Sequence, residues 1–225
     1  MCFSFFADES HNHNDVGNLV LFQNGHPVLI DVGVGTYTAK TFGGHRYEIF
    51  YMQSQYHNTP TINGVQQKAG GAYTARNVSL KQLPNEGGVV FTADIAGAYP
   101  AAAHAKHWTR TVTFDQSSNS VTVEENFELT SFSVPQKLHY MLVREMKVTS
   151  TATGVLLTNS ATGVRLAMDF DLKVFTFAED QHSLDGDIRL TQVWGDSVQR
   201  LTLTTAADFK QLTGHFKVRF SEKLQ

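Results

Sequence analysis

From Trp108 onward the chain is written in a period of two. Trp108, Arg110, Val112 and Phe114 alternate with threonines 109, 111 and 113, and Val121, Val123, Glu125, Phe127 and Leu129 do the same over Ser120 to Leu129. Successive side chains of a strand point to opposite faces, so this alternation commits each segment to a half-buried sheet. The turn cluster from Asp115 to Asn119 separates the two runs. Further strands are expected at Val89–Ile95, Lys137–Val143, Val155–Thr158, Val164–Asp169, Leu172–Phe177, Ile188–Trp194, Gln199–Thr204 and Gly214–Phe220. Nearer the start, Leu19–Phe22 and Pro27–Val32 flank Asn24-Gly25, a strong hairpin signal. Spacing of about ten residues with turn residues between predicts an all-β fold, a large antiparallel β-sandwich. At most short helices are expected, at Arg46–Ser54 and in the alanine-rich Pro100–Lys106.

The 225 residues suit one large domain over 1–225 better than two small ones. At 41% hydrophobic the composition is that of a globular chain. The net charge is −3 and the 18 basic residues are scattered, without the basic stripe of a nucleic-acid binder. Cys2 is the single cysteine, so no internal disulfide forms. No stretch approaches the roughly 20 apolar residues of a membrane span. Met1–Phe6 is too short, and lacks the basic start, for a signal peptide. Phe3-Ser4-Phe5-Phe6 reads as a strand already in progress, which suggests a fragment of a longer enzyme.

The polar chemistry is concentrated in the first seventy residues. Ser10-His11-Asn12-His13-Asn14-Asp15 is the densest cluster. An extended backbone puts His11 and His13 on one face. They suit two ligands of one metal, or one ligand and one catalytic group; a histidine-rich surface loop is the bland alternative. Asp31 closes the apolar run Val28-Leu29-Ile30, where an unpaired carboxylate costs several kcal/mol, roughly, unless it finds a partner. His57 follows an aromatic segment. Two histidines and an aspartate with an open fourth position make an ordinary zinc constellation.

Taken together, His11-Asn12-His13-Asn14-Asp15-Val16-Gly17, Gly25 through Gly33, Tyr37, Tyr56-His57-Asn58-Thr59 and Ile62-Asn63-Gly64 resemble the signature of the heparinase II/III-like family of bacterial polysaccharide lyases. The resemblance implies that His13, Asp31 and His57 hold a structural zinc ion and that His11 faces the substrate as a catalytic group. Arg46 and Tyr47 are the nearest candidates for substrate contact. It further implies that this sandwich works beside an N-terminal α-helical toroid that carries the principal catalytic tyrosine and the groups neutralising a uronate carboxylate. No such helical region is present here, so the isolated chain is expected to be inactive and prone to self-association through its uncovered docking face. The implied reaction is β-elimination of a uronic-acid polysaccharide: a base takes the C5 proton, an acid protonates the leaving O4, and donors stabilise the carboxylate. Heparin or heparan sulfate is the first substrate reading and alginate the next. The parent enzyme is expected to be periplasmic or secreted.

Two other classes compete. A cupin-like metalloenzyme would need a glutamate soon after His13, and positions 16–22 hold no acidic residue. A carbohydrate-binding or interaction sandwich without catalysis would use Tyr47, Phe50, Tyr51 and Tyr56 as a stacking platform.

Overall fold

A computed structural model of the chain describes residues 12–84 and 87–223. The strand expected at Phe3–Phe6, and His11, lie outside the described residues. The strands in chain order are β1 (Leu21–Gln23), β2 (His26–Leu29), β3 (Pro60–Thr61), β4 (Arg76–Gln82), β5 (Gly88–Asp94), β6 (Ala105–Asp115), β7 (Ser120–Leu129), β8 (Lys137–Val143), β9 (Lys147–Thr151), β10 (Gly154–Asn159), β11 (Val164–Asp169), β12 (Phe175–Ser183), β13 (Ser197–Thr205) and β14 (Thr213–Glu222). One helix, α1 (Ile188–Trp194), lies between β12 and β13. The strands form two antiparallel sheets. One runs β1-β2-β8-β13-β12 with β3 beside β8; the other is eight-stranded, β4-β5-β6-β7-β14-β11-β10-β9. The architecture is sandwich-like, as the alternation predicts.

The hairpin joining β1 to β2 turns on Asn24 and Gly25, both in the left-handed region (φ 51° and 81°). That is the backbone for which Asn-Gly is suited. The inward sides of both sheets supply the core. Trp108 stacks on Phe127 with centroids 5.1 Å apart, Phe216 packs on Phe127 at 4.9 Å, and Tyr140 meets Phe220 edge-on across the sandwich at 5.7 Å.

Several expectations need correction. Ile188–Trp194 is a helix rather than a strand. Asp187 caps it by accepting from Leu190 N–H, Gly195 ends it at φ 80°, and only Leu190 is buried, so no strand face is packed here. Arg46–Ser54 is not one helix. Three single 3-10 turns, Arg46–Glu48, Phe50–Met52 and Ser54–Tyr56, are separated by extended Ile49 and Gln53. In Pro100–Lys106 only Ala101–Ala103 turns; His104 takes a left-handed conformation and Ala105 already opens β6. The strand expected from Leu172 begins at Phe175. β4 and β9 were not expected. They are the two edges of the eight-stranded sheet and mostly exposed, so they carry little apolar pattern beyond Val78 and Leu80, which stay exposed.

One ion pair lies wholly inside. Arg110 on β6 and Glu125 on β7 face each other in register and are each 1% exposed. Arg110 Nε and Nη2 donate to Glu125 Oε1 at 2.8 and 2.5 Å, and Trp108 Nε1 donates to Oε2 at 2.8 Å. Arg110 Nη1 reaches out of the sheet to the Gly17 and Asn58 carbonyls at 2.7 and 2.6 Å.

Two expected outcomes follow from this interior. Glu125→Gln strands the Arg110 charge, and urea denaturation should show a loss of about 3–5 kcal/mol. A change below about 1 kcal/mol would mean that the pair does not hold the interior together. His139 on β8 is buried between the Thr61 and Thr202 hydroxyls, at 2.8 and 3.1 Å. Burial, aided by Arg200 and Lys137, lowers its pKa from 6.5 to about 3. The unfolded chain therefore binds a proton that the folded chain refuses. Stability is unaffected by this group above pH 6.5 and falls as pH drops from there toward about 3. Between pH 8 and 5 the wild type should lose about 2 kcal/mol more than His139→Gln. Equal losses would show that the group is not held neutral.

Candidate metal centre

Residues 12–18 have no regular secondary structure, yet backbone and side-chain bonds fix their path. Asn14 N–H donates to Met52 O at 3.0 Å. Gln67 grips Val16 at both backbone groups, accepting from its N–H and donating to its carbonyl, each at 2.8 Å. Gly17 sits at φ 80°, and a Cβ there would lie 2.9 Å from Ile95 Cγ2, so both conformation and space favour glycine. Its carbonyl is the one held by Arg110.

Asp31 follows β2, where the chain leaves the sheet. Its Oδ1 accepts from Gly33 N–H at 2.8 Å and its Oδ2 from Asn18 Nδ2 at 2.7 Å. His57 ends the series of 3-10 turns and is fully buried. The next residue, Asn58, is a hub. Its amide nitrogen donates to the Leu19 and Ile30 carbonyls at 2.7 and 2.9 Å and lies 3.1 Å from Asn18 Oδ1; its own carbonyl oxygen accepts from Met141 N–H at 2.7 Å. One asparagine thus ties the segments bearing His13, Asp31 and His57 to β8.

These bonds bring His13, Asp31 and His57 together, with one ligand atom from each within 4.8 Å of the others. His57 Nδ1 lies 3.3 Å from Asp31 Oδ2. That distance marks an ion pair, but the approach is too oblique for a hydrogen bond. His13 Nε2 is buried without a hydrogen-bond partner, and the buried His57 ring nitrogens find only Asp31 and the Tyr51 backbone nearby, in geometry too poor for regular hydrogen bonds. Buried polar atoms are nearly always bonded, so poorly satisfied imidazole nitrogens around one carboxylate form a donor set that a cation would satisfy. The donor set, two imidazoles and a carboxylate, suits a divalent metal such as zinc, and the cluster can hold one.

The electrostatics agree. Burial, reinforced by neighbouring His57, lowers the His13 pKa to about 4, against the pull of Asp31. Burial alone would raise Asp31 and lower His57. Their mutual attraction outweighs it, so the Asp31 carboxyl falls well below the usual range and the His57 imidazole rises above its own. His13 is therefore a neutral, ligand-ready imidazole at pH 7, while His57 would have to release a proton to a metal.

Arg46 is buried under the 12–18 loop, where Nε and Nη1 donate to the Asn12 and Thr41 carbonyls. Tyr47 is half-buried, and its hydroxyl lies 3.3 Å from Asn12 Nδ2. Tyr51 is buried with its ring 6.4 Å from that of His13; Phe50 and Tyr56 pack against the core rather than standing free. The arrangement also uses Asn18, Asn58, Gln67 and Arg110, none of which the sequence singled out for a role. Asn58 lies inside a motif block and Asn18 adjoins one; nothing in the sequence marks Gln67 or Arg110.

The heparinase II/III-like, C-terminal family model matches residues 7–212. Among solved structures, the heparan sulfate lyase HepC from Pedobacter heparinus is 17% identical with a TM-score of 0.69, over 95% of this chain and 31% of that one. A heparinase III structure is 16% identical with a TM-score of 0.64, over 96% and 31%. At these identities the likeness is one of fold, and this chain spans about a third of the length of those chains. No curated protein matches.

Asn18 offers a test of the centre that leaves the ligands in place. Asn18→Ala removes the amide that orients Asp31, and zinc affinity should fall about 10–100-fold in competition with a chromophoric chelator. Unchanged affinity would mean that Asp31 is not a ligand.

Proposed function

Because the chain belongs to the heparinase II/III-like, C-terminal family, we propose that it is the sandwich part of a polysaccharide lyase that cleaves uronic-acid polysaccharide by β-elimination. The observation that carries this reading is the convergence of His13, Asp31 and His57 with their buried, poorly satisfied nitrogens. One of the three, His13, stands two residues from His11 in the sequence.

In this reading His13, Asp31 and His57 hold zinc. When bound, the ion cross-links three segments and neutralises buried charge. The chain's own residues then do the rest. His11 exchanges a proton with the sugar or faces its carboxylate, in a loop whose path is fixed from Asn12 onward. Arg46 holds that loop through the Asn12 carbonyl, and its charge, with the half-exposed Tyr47, contributes to substrate contact at the loop edge. The remaining acid or base and the groups that neutralise the uronate carboxylate come from an α-helical toroid, as the family resemblance implies. Heparan sulfate or heparin is the first substrate class and alginate the second. The enzyme acts in the periplasm or outside the cell. No helix among the described residues is long and apolar enough to cross a membrane.

The stacking-platform alternative finds little support, since Tyr51 is buried and Phe50 and Tyr56 are packed.

Two measurements on the purified 225-residue chain test the reading. Metal analysis without chelator should find one zinc per chain, and absence of stoichiometric metal would overturn the ligand assignment. With heparan sulfate, heparin or alginate, the ultraviolet absorbance of an unsaturated uronate product should not rise. A site missing its partner groups loses most of its rate rather than a share of it. Steady product formation, abolished by His11→Ala, would place the whole active site within this chain and overturn the division of labour.

A further inference from the structure

The cations that are scattered in the sequence are partly gathered by the fold. Lys173, from the turn between β11 and β12, and Lys217 and Arg219, from β14, line one groove of about 690 Å³. This lies within the roughly 300–1,000 Å³ typical of small-ligand pockets. Lys217 and Arg219 are two apart on a strand and project from the same face, with His215 continuing the row. Exposed Leu172 and half-buried Val174 supply accessible apolar lining, while Phe170, Phe175 and Phe216 beside them are buried in the core.

The groove also contains two carboxylates, and both are engaged. Asp169 Oδ1 accepts from the Thr153 hydroxyl at 2.5 Å, and Asp171 Oδ1 from Lys173 N–H at 2.8 Å. His215 faces Glu124 at 3.3 Å, outside the groove. The side chains of Lys173, Lys217 and Arg219 have neither ion pair nor hydrogen bond among the described residues. The groove therefore gathers three cations without a direct side-chain contact, although Arg219 lies in register opposite Asp169 and Lys217 opposite Glu124. It shares no residue with the metal centre, and its basic strand residues, Lys217 and Arg219, belong to the eight-stranded sheet.

We propose that this groove is a second binding site for an acidic sugar, separate from the metal centre. A uronate or sulfated pyranose presents both halves of the match: anionic oxygens for Lys173, Lys217 and Arg219, and an apolar ring face for Leu172 and Val174. Such a site holds a polyanionic chain at a distance from the reacting sugar and raises its local concentration. The inference rests on the polysaccharide reading above only for the choice of an acidic glycan as ligand.

The test is calorimetric titration of the whole chain with a heparin-derived oligosaccharide, an alginate-derived oligosaccharide, neutral dextran of matched length and linear polyphosphate of matched charge. Wild type should bind at least one acidic oligosaccharide, more weakly as salt rises, and should not bind dextran. Lys217→Glu with Arg219→Glu should lower that affinity by at least about tenfold, since each lost contact is a charge-assisted hydrogen bond. The paired glutamine variant should show a smaller loss in the same direction; it provides the reading if the charge reversal fails to fold. His13→Ala should leave groove binding in place. Equal affinity for wild type and groove variants, or no binding of either acidic oligosaccharide, would overturn the groove. Equally tight, groove-dependent binding of polyphosphate would reduce it to charge alone and overturn the sugar assignment. Failure of the lyase reading registers separately, in the zinc content and the product assay, neither of which depends on Lys217 or Arg219.

Discussion

The guanidinium of Arg110 is the point at which the sandwich and its polar loops become one object. Taking an arginine and a glutamate out of water costs several kcal/mol, roughly, for each ion, and their attraction offsets that only if the remaining hydrogen-bonding capacity is used. Here the Glu125 oxygens take Arg110 and the Trp108 indole. The guanidinium nitrogen turned away from Glu125 takes two backbone carbonyls, those of Gly17 and Asn58. Those carbonyls lie four residues after His13 and one after His57. If the loops were displaced, a buried positive charge would lose two acceptors at once. The ion pair therefore transmits the rigidity of β6 and β7 to the segments that carry two of the three candidate ligands.

The third segment is recruited by amides rather than by charge. Asn58 spans Asn18, Leu19, Ile30 and Met141, and Asn18 passes the constraint on to the Asp31 carboxylate. A side-chain amide has donors and an acceptor in fixed directions, so it can pin several strands of irregular backbone where no sheet ladder reaches. Buried irregular backbone is costly unless each polar group is matched. The Val16–Gln67 pairing meets the same need by imitating a strand partner.

How much of this was legible beforehand follows from the same physics. β6, β7 and β13 bury one face and show it as alternation, while β8, buried on both faces, shows it as a continuous apolar run, so the sequence displays all four. β4 and β9 are edges with little to bury, and they left little pattern. α1 escaped because seven residues hold barely two helical turns, and exposed Ile188 and Val193 imitated a strand. The candidate ligands stood out because histidine and aspartate are scarce types set in a dense motif. Their supports did not, because Arg110 reads as one more polar position in an alternating strand, and Gln67 as a loop glutamine. What makes them matter is a long-range contact, 93 residues in sequence for Arg110 and Gly17 and 51 for Gln67 and Val16. No local pattern records such a separation.

The charge balance of the cluster argues for a cation larger than a proton. Without metal the cheapest arrangement is a protonated His57 beside ionised Asp31, which is the direction in which both groups are shifted. That arrangement neutralises the pair but leaves His13 neutral, with a buried lone pair or N–H that nothing meets. Protonating His13 as well would place two imidazolium ions with ring centroids 5.3 Å apart around one carboxylate, which burial and mutual repulsion both oppose. A single divalent ion removes the conflict. His13 and His57 would each offer it a lone pair and Asp31 a compensating charge, which is the donor set of a divalent-metal site. The supporting shell is costly in buried amides and one buried guanidinium, and it makes physical sense as the scaffold for such an ion.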